Sequence, residues 1–408
     1  MNVLDHLGCD KVFTYFEAIC DIPHGSFHEK ELSDYIVAFA KERGLYCRQD
    51  ARHNVIIKKP GTAGYEKSPA LIIQGHIDMV CEKNADTDHD FLKEPLKLYI
   101  DGDDIKARGT TLGADNGIAV AYMLALLDAD DIEHPPVECV FTVEEEIGMG
   151  GATDLDAFDL EGKRFLNMDT EEEGYLMVSC CGGRRMRMYL PAERTAASAD
   201  KKTFAVRIRG LKGGHSGVEI HQNRANANKV MGEFLGRIQQ LMPVCITKLT
   251  GGEKDNAIPS FCQVTLVALG MYIERINDVA EALQKEIREN YDEPNAIVRG
   301  DDVDALGGNA LTTECTAKVI ALLNAVPNGV QAWSADIPGL VQTSLNMGVS
   351  KLGERFNATF SVRSSVNSEK QELLAQLRKL CDFYEGVYSQ MGEYPAWEYR
   401  KESALRDT

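Results

Sequence analysis

His76 and Asp78 stand two positions apart, just past the apolar run Ala70-Leu71-Ile72-Ile73-Gln74 that reads as a buried strand. Asp115, in Gly113-Ala114-Asp115-Asn116-Gly117, opens a strong helix pattern over 118–127, where a carboxylate is electrostatically favoured. Glu144-Glu145-Glu146-Ile147-Gly148 follows the strand-like stretch 137–143, and Asp169 follows Phe165-Leu166-Asn167-Met168. In open α/β sheets the functional crevice lies outside the carboxyl ends of the strands. One imidazole with several carboxylates is a usual zinc shell, and a pair of ions needs a bridging ligand and shares one activated water. Consecutive strand residues point to opposite faces, so Glu145 and Glu146 can serve one site only where the chain is turning. Gly148, Gly150 and Gly151 supply such a turn. One glutamate would then hold metal while the other takes a proton from the water.

Singly, each of these residues has a plainer reading. An Asp or Glu past a strand is most often a turn residue or a helix cap, and three glutamates in a row are often a solvated charge run. An apolar strand and glycines flank the run closely, and four such placements coincide, which weighs against the plain reading.

The elements that must position these residues alternate between strand and helix over the first 186 residues. Stretches 13–19 and 29–40 read as amphipathic helices, and the short apolar strands after them suit an α/β fold, a mostly parallel sheet with helices on both faces. The small, polar stretch 194–202 marks a boundary. Beyond it lie strands near 203–209, 245–249 and 262–268, with helices at about 226–241 and 274–291. A similar order recurs with a helix near 313–323, a hairpin near 341–362 and a helix near 369–384, without a residue-level repeat. This describes one inserted α+β domain of about 200 residues. Within it, Gly213-Gly214-His215-Ser216-Gly217 places a histidine in a glycine-rich turn, and Asn256-Ala257-Ile258-Pro259 places an asparagine between two strands. Arg363, in Ser361-Val362-Arg363-Ser364-Ser365, reads equally as a carboxylate-binding group or a surface strand arginine.

At 408 residues the chain holds at least two domains, and 44% hydrophobic with 26% charged residues is ordinary for a globular protein. A formal charge of −19 argues against nucleic acid and anionic membrane as partners. No run is long and apolar enough to span a bilayer, and the start, Met1-Asn2-Val3-Leu4-Asp5-His6-Leu7, has no signal-peptide pattern. Eleven scattered cysteines without C-x-x-C spacing, including the adjacent pair Cys180-Cys181, read as free thiols in a reducing cytoplasm.

Taken together, His76-x-Asp78, Gly113-Ala114-Asp115-Asn116-Gly117, Glu145-Glu146-x-Gly148 and Asn167-Met168-Asp169 resemble the metal-site motifs of the two-zinc metallopeptidase family of aminopeptidases and carnosinases. The stretches 74–80, 169–174 and 213–221 are similar in particular to a bacterial subgroup acting on aminoacyl-histidine dipeptides. The resemblance covers nearly the whole chain. It implies a catalytic domain over 1–186, an inserted lid and dimerisation domain over 187–385 through which a homodimer forms, and a return to the catalytic domain over 386–408. His76 and Asp169 would bind one metal, with Asp78 orienting the imidazole. Asp115 would bridge two zinc ions, with cobalt or manganese as substitutes. Glu146 would bind the second ion, and Glu145 would be the general base for hydrolysis of a dipeptide by a metal-bound hydroxide. His215 and Asn256 would stabilise the oxyanion of the tetrahedral intermediate. Arg363 would hold the substrate carboxylate, and His221 and His24 would be structural. The family completes its second metal with a histidine near the C-terminus, whereas the last of the nine histidines here is His221. The sequence therefore leads one to expect an incomplete second site and impaired catalysis. A related tripeptidase, an N-acyl amino acid deacylase and a non-catalytic metal-binding or interaction protein are the alternatives.

Overall fold

A computed structural model of the chain describes residues 3–4, 7–8, 10–170, 172–306 and 308–407. The N-terminal residues 1, 2, 5, 6 and 9, and Glu171 of the stretch 169–174, lie outside the described residues. The chain divides into two compact units, Met1–Met177 and Val178–Thr408.

In the first unit the order is α1 (Asp10–Cys20), α2 (Lys30–Glu42), β1 (Tyr46–Gln49), β2 (Val55–Lys59), β3 (Leu71–His76), β4 (Leu98–Asp101), β5 (Asp104–Ala107), α3 (Ala114–Asp128), β6 (Val137–Thr142), α4 (Gly150–Asp154) and β7 (Arg164–Asn167). Five strands form one sheet in the order β1-β2-β6-β3-β7. Strand alternation sends Val55, Ile57, Ile73, Cys139 and Phe141 into a core shared with α1, α2 and α3. Ile56, Ile72 and Val140 point the other way, onto Leu155 and Leu160. Helices α1–α3 thus belong to one core, and the second face is closed by the segment around α4 rather than by a full helical layer. β6, β3 and β7 run parallel, which brings their carboxyl ends to one edge. β1, β2 and β6 pair antiparallel, so the sheet is mixed. The cause is local: Asp50 Oδ1 accepts from the backbone N–H of Arg52 and of Asn54 (both 2.9 Å), closing a tight turn between β1 and β2. Phe141 is fully buried in β6, the strand that delivers Glu145 and Glu146. Its replacement by alanine is expected to cost about 3–5 kcal/mol, measured as a shift in the chemical-denaturation midpoint.

The second unit contains β8 (Gly182–Leu190), β9 (Arg194–Ala196), β10 (Lys201–Arg209), β11 (Gly214–His215), α5 (Ala227–Leu241), β12 (Cys245–Gly251), β13 (Ala257–Ile258), β14 (Cys262–Leu269), α6 (Ile273–Asn290), β15 (Ile297–Leu306), β16 (Asn309–Leu311), α7 (Thr313–Ala325), β17 (Gly329–Trp333), β18 (Val341–Leu352), β19 (Phe356–Ser364), α8 (Asn367–Phe383) and β20 (Val387–Tyr394). Nine strands form an antiparallel sheet along β15-β10-β14-β12-β18-β19-β8-β20, with β17 beside β18. One side of the central strands (Met186 and Met188, Phe204 and Val206, Phe360 and Val362) packs with α5–α8 in a single core. Two helix starts are capped as their sequences invite: Asn226 of α5 accepts from the N–H groups of Asn228 and Lys229, and Thr312 of α7 from that of Cys315.

Three boundaries differ from the sequence expectation. The second unit begins ahead of residue 187, because β8 is a full member of its sheet. Residues 386–408 were expected to rejoin the first domain, yet β20 pairs with β8, and Trp397 exchanges backbone hydrogen bonds with Cys180 (2.9 and 3.0 Å). The free edge of β8 recruits a strand about 200 residues further along the chain, a pairing that no local pattern announces. The polar stretch 194–202 is likewise no boundary, since it forms β9 and the start of β10.

Candidate metal centre

At the carboxyl edge of β6-β3-β7, His76 closes β3 and is only 1% exposed. Its Nδ1 faces two acceptors of Asp78, the carbonyl oxygen at 2.9 Å and Oδ1 at 3.3 Å, so Nδ1 carries the proton. Nε2 is thereby left facing Asp115 Oδ1 at 3.0 Å and Asp169 Oδ1 at 3.6 Å. His76, Asp115 and Glu146 offer ligand atoms that all lie within 4.8 Å of one another. Ligand atoms of one ion, or of two ions joined by a bridging carboxylate, approach one another in this way.

Asp78 does more than face the imidazole. Its carboxylate is fully buried, accepts from the backbone N–H of Glu145 (3.0 Å) and Glu146 (3.2 Å), and accepts from the Ser26 hydroxyl (2.9 Å). One side chain therefore fixes both the histidine and the turn that presents the two glutamates. That turn also needs left-handed backbone at Glu144, Gly148 and Met149, and Glu29 holds it from below by accepting from the N–H of Glu144 (3.2 Å). Glu144 itself is turned away into a pair with Arg52 at 3.1 Å, which separates it from its two neighbours. Replacing Asp78 by asparagine puts an amide donor against two backbone donors. The expected result is metal affinity lower by about 10–100-fold with the fold intact, read by titration of the metal-free protein.

Asn116 is a further positioning group whose role no sequence pattern announces. Its Oδ1 accepts from the N–H of His76 (3.2 Å) and its Nδ2 donates to the Met168 carbonyl (2.8 Å), tying α3 to β3 and β7. Gly75 permits this approach: a Cβ there would stand 2.4 Å from Asn116 Oδ1. Ser26 and Glu29, on a loop remote in sequence, were missed for the same reason; hydrogen bonds between distant segments leave no periodic signal.

The electrostatics call for a cation. Burial opposes charge on His76, but the carboxylates of Asp169 and Asp78 outweigh it and push its pKa up to about 11. Burial, then neighbouring carboxylates, raise the pKa of Glu145 and Glu146. Asp78 is lowered in spite of burial by its bonds from His76, Glu145 N–H and Ser26. A divalent ion at Nε2 would balance the same carboxylates that raise the His76 pKa, so the donor set fits a metal.

The three site residues expected in the second unit also gather. β11 pairs with β13, and Ser216 N–H donates to the Asn256 carbonyl at 2.8 Å. Nδ1 of His215 accepts from the N–H of Gly217 (3.2 Å) and Val218 (3.1 Å), so the proton of the neutral ring sits on the exposed Nε2. A Cβ on Gly217 would lie 2.9 Å from His215 Cε1 and 3.3 Å from Arg363 Cζ, which puts these two side chains on either side of one glycine. Arg363 donates to the Tyr394 hydroxyl at 3.0 Å. His221 is exposed, and His24 is buried with Nδ1 2.6 Å from the Ile22 carbonyl. Every described cysteine is free.

Comparison with known proteins places these features. Residues 206–295 match the family model described as a peptidase dimerisation domain. The cytosol non-specific dipeptidase of Escherichia coli (strain K12) is 39% identical over 403 residues, spanning 98% of this chain and 82% of that relative. The crystal structure of aminoacylhistidine dipeptidase from Vibrio alginolyticus superposes with a TM-score of 0.93 at 37% identity, over 99% of this chain and 83% of that one.

Proposed function

The chain belongs to the M20 family of peptidases, and from that premise we propose that it hydrolyses dipeptides, those ending in histidine foremost, with two zinc ions as cofactors. The observation that supports the reading is the convergence of His76, Asp115, Glu146 and Asp169 at one sheet edge. His76 and Asp169 would hold one ion and Glu146 the other, with the Asp115 carboxylate shared between the two sites. A bound divalent ion makes water a nucleophile near neutral pH and polarises the peptide carbonyl. Glu145 takes the proton from the attacking water and passes it to the leaving amine. The Nε2–H of His215 and the amide of Asn256 donate to the developing oxyanion. Arg363 pairs with the substrate's terminal carboxylate. The dimerisation-domain match at 206–295 supports a homodimer. The name of the E. coli relative supports a cytosolic setting, and no helix among the described residues is long and apolar enough to cross a membrane.

The test is a substrate panel on the purified chain, stripped of metal and then supplied with zinc, cobalt or manganese. The expected result is metal-dependent release of histidine from aminoacyl-histidine dipeptides. Equal rates on dipeptides without histidine would broaden the specificity, as the name of the E. coli relative suggests. Cleavage confined to tripeptides or N-acyl amino acids would overturn the reading.

A further inference from the structure

The face of the nine-stranded sheet opposite α5–α8 holds a cleft of about 210 Å³, built wholly within the second unit. Arg187 of β8 lies opposite Thr359 of β19, and both line it together with Asn357. The Nε of Arg187 is buried without a hydrogen-bond partner, and among the described residues its guanidinium makes one long contact, 3.5 Å, to the Tyr189 hydroxyl. Among the described residues Arg187 forms no ion pair. Across the same cleft stand Asp255, paired with Arg185 at 2.6 Å, and Glu253, an exposed carboxylate that forms no ion pair among the described residues. One cleft thus holds an unmatched cation and an unmatched anion that do not meet. Leaving a half-buried guanidinium N–H unbonded is costly. A ligand carrying both charges satisfies both sides at once. Val349 and Met391 add an apolar wall.

We propose that this cleft binds a free α-amino acid with an apolar side chain. Its carboxylate lies on Arg187, whose planar fork suits it, with Thr359 and Asn357 as neutral partners. Its ammonium faces Glu253 and Asp255, and its side chain rests against Val349 and Met391. The volume is below the roughly 300 Å³ at which pockets for larger ligands begin, which favours one residue over a peptide. Asp255 directly precedes Asn256, so an occupied cleft touches the loop that carries a proposed oxyanion donor. Free amino acids are also what dipeptide hydrolysis releases; this link rests on the proposed function, whereas the binding does not.

Calorimetric titration with L-leucine tests the site without turnover. Saturable binding of one leucine per chain is expected in the unaltered protein and in Asp115→Ala, whose change lies in the other unit. Binding should weaken by about tenfold or more in Arg187→Gln and in Asn357→Ala. On the unaltered protein, L-leucinamide and N-acetyl-L-leucine, each lacking one charge, should bind at least about tenfold more weakly than leucine. The analogue comparison decides the matter even if Arg187→Gln folds poorly. Absence of saturable binding, equal affinity for the analogues, or loss of binding in Asp115→Ala would each overturn the proposal. The last result would assign the leucine to the metal centre.

Discussion

Replacing Glu145 by glutamine is expected to lower dipeptide turnover by about 10²–10⁴-fold, the usual effect of removing a general base, while the metal content per chain stays unchanged. The geometry separates the two adjacent glutamates. Glu146 offers its carboxylate to the group that includes His76 and Asp115, and Glu145 does not. Their backbone N–H groups are held by different oxygens of the same carboxylate, Asp78 Oδ1 and Oδ2. Glutamine preserves the size of Glu145 and leaves that backbone anchor in place, so the turn survives and only proton transfer is lost. Turnover and elemental analysis on the same preparation give the answer. Metal lost in step with activity would mean that the roles of Glu145 and Glu146 are exchanged. The conservative change Glu145→Asp is the control: it keeps an ionisable group on a shorter arm and should fall between the two.

Why the placement of these residues was readable in advance follows from the construction of the sheet. His76, Glu145 and Asp169 sit at or just past the ends of β3, β6 and β7, and each of these strands is a short apolar run that periodicity finds. Parallel pairing then does the rest, because it collects carboxyl ends at one edge without further instruction. Asp115 was legible for a different reason, the abrupt start of the helix pattern in α3. The supporting groups were hidden because they come from elsewhere: Ser26 lies 52 residues from Asp78, and Asn116 lies 52 residues from Met168. Antiparallel pairing hid the rest of the fold. The β1–β2 turn is closed by the backbone and side chain of Asp50, and β20 joins β8 across most of the second unit. A sequence window sees each strand but not its neighbour. The cleft at Arg187 is an extreme case, since its residues come from four distant segments and none is unusual alone.

Asp115→Ala is expected to be the more damaging change, removing most of both metal ions and lowering turnover by about 10⁴-fold or more, since the activated water is lost along with the base's partner. Asp115 is the carboxylate nearest to His76 Nε2, at 3.0 Å against 3.6 Å for Asp169, and it shares the group with Glu146. It is also the most open of the buried histidine's partners, with 46% of its side chain exposed, so its second oxygen would be available to a second ion. Alanine removes that shared oxygen donor and leaves His76 with Asp169 on one side and Glu146 on the other, two incomplete sets. The helix should not unravel. Asn116 still ties α3 to β3 and β7 through bonds that do not involve the Asp115 side chain. Circular dichroism should therefore match the unaltered protein while zinc per chain drops. Asp115→Asn sharpens the test, since it keeps the shape and one oxygen but loses the charge. If charge is what binds the two ions together, it should resemble alanine in metal content. Unchanged stoichiometry in both variants would show that the bridge is made by another residue, with Asp169 the nearest candidate at the same imidazole nitrogen.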